Sequence, residues 1–309
     1  MHRLSAAGLA LLLLAAGCSD DGPTAEPAPT STAGASIGRS CPAFTGPGEQ
    51  THGAVTLDGE VRQYLVDVPP SYDGSEDAAL ILNWHGNNSN AEQQRQYTGL
   101  AEVADAVVVT PQGTGDPQHF SLVPGPDNPD IRFARAIVEQ VSEQFCIDAD
   151  RVFSTGISNG SGLSAEIACA APDVFAAVAL VAATIGPLGC DDSTRMPVLA
   201  FHGTADPIVP FDGGRLRGTG LPLPSAQEGV GRWAEQNGCD PEPTEERIGD
   251  DVTHGTFSGC EADVEYYWVD GGGHVWPGAD RVPVLGENTE TISASALISE
   301  WFEDHPREN

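Results

Sequence analysis

The chain has 309 residues, with 14 basic side chains, all of them Arg, against 45 acidic ones and a formal net charge of −31. That balance excludes recognition of nucleic acid or of an anionic membrane through a basic surface, and it favours a neutral ligand. With 40% hydrophobic residues, 36 Gly and 24 Pro, the composition is that of a globular protein rich in turns rather than a disordered one.

In chain order, residues 1–18 read as an export signal. A short polar start at His2 and Arg3 precedes an apolar run from Leu9 to Ala16 that is too short to span a bilayer. Leu14-Ala15-Ala16-Gly17-Cys18 resembles a bacterial lipoprotein box, which implies cleavage before Cys18 and a lipid on its sulfur. Any membrane association is expected through that lipid alone, and an extracellular or cell-surface location follows. Residues 19–40 carry Ser, Thr, Ala, Pro, Gly and Asp with little to bury, and read as a flexible tether. Residues 41–309 are expected to form a single catalytic domain, working as a monomer. Setting Cys18 aside leaves an even set of cysteines: Cys41, Cys146, Cys169, Cys190, Cys239 and Cys260. Outside the cell such a set points to disulfides. The expected pairs are Cys41–Cys146, Cys169–Cys190 and Cys239–Cys260. No C-x-x-C spacing supports a metal site, and no cofactor is expected.

Beyond the tether, Ala54–Leu57 and Val61–Val68 flank Asp58-Gly59 and predict a hairpin. Ala79–Trp84 is a buried strand pattern, 91–104 a helix, and Val107–Thr110 a β-branched strand. Apolar residues at Ile131, Ala134, Ile137, Val138, Val141 and Phe145 recur at helical spacing. Val152–Thr155 predicts a strand, followed by Gly-rich residues and a helix through Cys169. Phe175–Val181 and Pro197–His202 are further strands, Ser225–Asn237 a helix with a Ser cap, 252–257 a strand or exposed loop, Val264–Val269 a strand, and Ser293–Glu303 a closing helix. Alternating strands and helices predict an α/β fold with a mostly parallel central sheet, helices on both faces and antiparallel strands at one edge. The short gap between Val181 and Pro197 leaves no room for a separate lid domain.

Gly156-Ile157-Ser158-Asn159-Gly160 matches G-x-S-x-G between a strand and a helix. That context puts a Ser hydroxyl on a tight turn, with Gly on either side preventing collision with neighbouring backbone. A Ser needs a base, normally a His held by a carboxylate, in the chain order Ser, acid, His. Among His254, His274 and His305, His274 lies in a Gly-rich loop just past a strand, where the base must be. Asp206, at the end of a strand running into a loop, is the chosen carboxylate; Asp191, Asp192 and Asp212 are the alternatives. His202 and His85 read as structural. The oxyanion donors are expected at the backbone N–H groups of Asn159 and Asn87. Trp276 and Trp84 flank these loops and are expected to form an apolar wall for the acyl group, with Phe120 a weaker candidate.

Together, His85-Gly86, the 145–152 run, Gly156–Gly160, the stretch from His202 to Pro210 and the stretch from Gly272 to Gly278 resemble secreted α/β-hydrolases of the polyhydroxybutyrate depolymerase and feruloyl esterase family. The resemblance runs from about residue 50 to about residue 302 and implies Ser158 as nucleophile, Asp206 as orienter and His274 as base. It implies a serine carboxylesterase acting on a polyester oligomer or an acylated polysaccharide. Departures at Trp84, Asn87 and Gly160-Ser161 lie close to the acyl site and bear on substrate more than on reaction. The alternative reading is a non-catalytic surface module that binds glycan or lipid in the same cleft.

Overall fold

The computed structural model describes residues 50–187, 189–217 and 219–307. The export signal, the lipoprotein box with Cys18, the tether and Cys41 lie outside the described residues.

β1 (Gln50–Leu57) and β2 (Glu60–Asp67) form the expected hairpin. Its turn residues Asp58 and Gly59 both take positive φ, 51° and 86°, which suits Asp-Gly in a tight two-residue connection. β3 (Ala78–Trp84) follows, then α1 (Ala91–Thr98) and α2 (Leu100–Val103) in place of the single expected helix. Gly99, at φ 57°, ends α1 in the left-handed conformation that glycine adopts without strain. β4 (Ala106–Pro111), α3 (Pro129–Gln144), β5 (Ile147–Ile157), α4 (Asn159–Ala170), β6 (Ala177–Val181) and β7 (Val198–Gly203) complete the expected alternation. α3 starts at an Asn128 cap with Pro129 in its first turn and buries Ile131, Ala134, Ile137 and Val141.

The C-terminal third adds a two-strand ladder of β8 (Gly214–Arg215) and β9 (Pro222–Leu223), then α5 (Ala226–Gln236), β10 (Thr244–Ile248), β11 (Val252–Thr256), β12 (Val264–Val269) and α6 (Ala294–Asp304). Ser225 and Glu228 form a reciprocal capping box at the start of α5.

The main sheet has the order β1-β2-β4-β3-β5-β6-β7-β12-β11-β10. From β4 to β12 neighbours run parallel, and both edges are antiparallel. β4, β6 and β7 are buried along their whole length, as strands covered on both faces must be. All loops that follow the parallel strands therefore leave from one end of the sheet, and that end carries the site. Cys169–Cys190 and Cys239–Cys260 are bonded as expected. Each closes a loop of sequence separation 21, which by chain entropy is worth about 3 kcal/mol. Such bonds persist in an oxidising compartment, in keeping with export. Among the described residues no helix is long and apolar enough to cross a membrane.

One carboxyl in α4 has an incomplete set of partners. Glu166 is 3% exposed, and its Oε2 has no hydrogen-bond partner among the described residues. Burial pushes this carboxyl from its ordinary 4.5 up to about 7. A raised carboxyl favours the fold while protonated, so its contribution is complete below the unfolded value and lost as pH rises through the folded one. Glu166→Gln is expected to be about 2 kcal/mol more stable than wild type at pH 8 and equal to it at pH 4. Urea midpoints at the two pH values test this; the same difference at both would mean that Glu166 does not titrate with folding.

Candidate functional site

β5 ends at Ile157, and the chain reverses into α4 at Ser158. Ser158 sits at φ 57°, ψ −114°, a conformation that costs a non-glycine residue about 1–3 kcal/mol. Its backbone N–H donates to Val181 O of β6 at 2.9 Å, which holds the turn against the sheet. The flanking glycines are required by contact. A Cβ on Gly160 would collide with the Trp84 carbonyl, and one on Gly156 would meet the same oxygen at 2.7 Å. The helix that begins at Asn159 points its free N–H groups towards the Ser158 end.

β7 ends at Gly203 and the chain turns to Asp206, whose side chain is fully buried. Its Oδ1 accepts N–H bonds from Ile208 and Val209 at 2.7 and 2.9 Å. Its Oδ2 accepts from His274 Nδ1 at 2.7 Å. His274 follows β12, the strand beside β7, and is 5% exposed. Its backbone N–H donates to Leu285 O at 2.7 Å, anchoring its loop to the 283–285 turn. Because Nδ1 donates to the carboxylate, Nε2 carries the imidazole lone pair.

Ser158 and His274 line one cleft of about 540 Å³. No direct hydrogen bond joins their side chains, a common state of such pairs without substrate. Gly86 and Asn87, from the loop after β3, also line this cleft, and a Cβ on Gly86 would stand 3.4 Å from Ser158 Cβ. Asn87 is exposed at the rim, and its neighbour Asn88 donates its N–H to Gln118 O at 2.8 Å. The Asn159 side chain has a separate task. It accepts from Phe120 N–H at 2.7 Å and donates to Phe120 O at 3.0 Å, pinning the loop before α3 to the start of α4.

The other histidines fall elsewhere. His85 is fully buried: Nε2 accepts from Gly113 N–H at 2.9 Å and Nδ1 donates to Gly86 O at 2.7 Å, so the ring anchors two loops. Burial also lowers its pKa, keeping the ring neutral. His202 lies beneath Asp206, bonded to Thr184 Oγ1 and Val209 O. His254 bridges Glu246 and Glu265 at the sheet edge, and its pKa is raised by the hydrogen bond to Glu265. His305 stacks on Trp301 beyond the body of α6.

The expected indole wall is corrected. Trp84 is fully buried, donates Nε1–H to Ser154 Oγ at 3.0 Å, and meets Phe120 and Phe133 edge-on in the core. Trp276 is 1% exposed and donates Nε1–H to Ser295 Oγ at 2.9 Å. Neither lines the cleft. Trp84 ends β3, a strand buried on both faces, and Trp276 lies in the loop after β12; in neither place does sequence proximity to a site determine which way a large side chain turns. The apolar wall is instead Ile157, Ile208, Val282 and Leu285, with Tyr97. Asn87, Asn88, Ser89, Gln93 and Gln94 supply the polar one. Among the described residues, the lining contains neither Asp, Glu nor Arg.

Residues 128–215 match the family model described as esterase PHB depolymerase. NocK of Nocardia uniformis subsp. tsuyamanensis, a protein assigned to the esterases, is 30% identical over 95% of this chain and 96% of its own length. Feruloyl esterase C of Emericella nidulans is 32% identical over 72% of this chain and 79% of its own. Among solved structures, the acetyl xylan esterase from Aspergillus awamori aligns with a TM-score of 0.56 at 14% identity, covering 82% of this chain and 99% of that one; this likeness is one of fold. The chain belongs to the polyhydroxybutyrate depolymerase and feruloyl esterase family of α/β-hydrolases and is a serine hydrolase acting on carboxylic ester bonds.

Proposed function

We propose that this esterase hydrolyses feruloyl or acetyl esters of polysaccharides through an acyl-enzyme on Ser158. The observation that carries the reading is the buried Asp206–His274 pair opening on the same cleft as the strained Ser158 turn. As the ester docks, the Ser158 hydroxyl swings to His274 Nε2 and gives up its proton while Oγ bonds to the carbonyl carbon. The backbone N–H groups of Asn159 and Asn87 receive the oxyanion. Collapse of the tetrahedral intermediate expels the alcohol, which takes the proton from His274. Water, deprotonated by the same imidazole, then releases the acid and restores Ser158.

The lining supports the substrate class. An aliphatic and aromatic wall suits an acyl group, a wall of amides and a hydroxyl suits a sugar alcohol, and the uncharged lining suits a neutral ester. The relative named for feruloyl esters supports it too. Residues 41–309 form the catalytic domain, carried behind an export signal and tether and held at the cell surface if Cys18 is lipidated. The domain works as a monomer.

Side-by-side assay of methyl ferulate, acetylated xylan and hydroxybutyrate oligomers tests the reading. The first two are expected to be turned over at least tenfold faster, in kcat/KM, than the third, a difference of about 1.4 kcal/mol in barrier. Hydroxybutyrate oligomers as the best substrate would move the function to polyester hydrolysis. No turnover of any of the three would overturn it.

A further inference from the structure

We propose that Tyr97 is a positioning residue for the histidine: its ring forms part of the substrate cleft, and its hydroxyl holds the loop that carries His274. The proposal rests on the esterase reading with His274 as base.

Two observations meet in this one side chain. Tyr97 lines the cleft together with Ser158 and His274. Its hydroxyl oxygen accepts the backbone N–H of Trp276, two residues past His274, at 3.1 Å. The other polar atoms of Trp276 are also engaged. Its indole N–H donates to Ser295 Oγ at 2.9 Å, and its carbonyl accepts from Asn288 Nδ2 at 2.9 Å. Ser295 in turn donates to Thr98 O at 2.6 Å. Two of these restraints on Trp276, through Tyr97 and through Ser295, therefore trace to the last turn of α1.

Local sequence explains why that turn can act as a clamp. Gly99 breaks the helix at φ 57°, and its N–H returns to Arg95 O at 3.2 Å. The helix does not continue over Thr98, so the Thr98 carbonyl is free to receive Ser295. The same turn is fixed to the sheet from below. Asn83 of β3 donates to Thr98 Oγ1 at 2.9 Å and accepts from Gln94 Nε2 at 2.8 Å, and all three side chains are buried. One buried network therefore runs from β3, the strand that feeds the proposed oxyanion loop, to the histidine loop. Burial holds the Tyr97 phenol above its ordinary pKa, so it stays neutral and keeps this geometry through the working range.

Tyr97→Phe keeps the ring and removes the acceptor. For p-nitrophenyl butyrate, kcat is expected to fall about five- to twentyfold with KM within about twofold, because a histidine displaced by a fraction of an ångström slows proton transfer more than binding. The downfield proton resonance of the His274–Asp206 hydrogen bond should broaden. Ser295→Ala loosens Trp276 from the indole side and should lower kcat in the same sense, with the double variant losing less than the product of the single losses. A folded Tyr97→Phe with kcat within twofold of wild type and an unchanged imidazole signal overturns the proposal. Should Tyr97→Phe not fold, unaltered kcat and resonance in Ser295→Ala overturn it. A wild type that turns over no ester overturns the reading of the cleft first, and this role with it.

Discussion

Replacing Ser158 with Ala is expected to lower kcat on p-nitrophenyl acetate by about 10⁴–10⁶-fold and to abolish covalent labelling by a fluorophosphonate. The size follows from the site. Ser158 stands between the elbow glycines, at the start of α4 and in the cleft shared with His274. Neighbouring hydroxyls are committed elsewhere: Ser161 Oγ donates to Ala183 O, and Ser154 Oγ and Ser164 Oγ bond to each other, all of them buried. The variant should fold, because Ala keeps the Cβ and the backbone bond to Val181 O is untouched. Ser158→Gly gives a second arm. It should be equally inactive yet melt no lower than Ser158→Ala, since Gly adopts φ 57° without strain and so offsets its larger loss of chain entropy. Residual activity above a tenth of wild type, or labelling that survives, would place the nucleophile at another residue.

That Ser158, Asp206 and His274 would come together could be read from the sequence because each follows a recognisable strand at a point where glycine or a loop must begin, and parallel strands deliver all such points to one end of a sheet. Two of the three cysteine pairs could be read for a similar reason, as local closures in an exported chain; the third includes Cys41, which lies outside the described residues. The cleft wall was hidden. Val282 and Leu285 reach it from a turn with no helical or strand pattern, and Tyr97 lies in a helix whose weak apolar stripe does not mark a cleft face. Trp84 misled because a strand buried on both faces shows no alternation from which an inward side can be told, and Trp276 because it lies in an irregular loop with no periodicity to read. β10 was missed because Thr244-Glu245-Glu246-Arg247-Ile248 is almost wholly exposed. Edge strands carry charge to discourage pairing with other chains, and that erases the hydrophobic signal. The break in the 91–104 helix was written in Gly99, whose meaning depends on the Trp276 and Ser295 contacts that the shortened helix permits.

Asp206→Asn should lower kcat by about 10⁴-fold while leaving the fold intact. The backbone decides which way the new amide faces. Ile208 and Val209 both donate N–H bonds to Oδ1 at 2.7 and 2.9 Å, so the amide oxygen must stay there to keep them satisfied. The amide NH₂ then occupies the Oδ2 position, 2.7 Å from His274 Nδ1. Two donors cannot face each other, so Nδ1 becomes the acceptor and the ring proton moves to Nε2. With its proton on Nε2 the imidazole has no lone pair facing Ser158 to receive the hydroxyl proton, and catalysis fails although every heavy atom is nearly where it was. Asp206→Ala should differ in kind: it strands both backbone N–H groups in a fully buried site and should also cost about 1–3 kcal/mol of stability or more. Steady-state kinetics on p-nitrophenyl acetate together with melting temperatures separate the two cases. An Asn variant with kcat within tenfold of wild type would show that the carboxylate serves the loop and not the imidazole. An Asn variant that melts as low as the Ala variant would show that the Ile208 and Val209 bonds do not direct the amide, and the tautomer argument would fall with them.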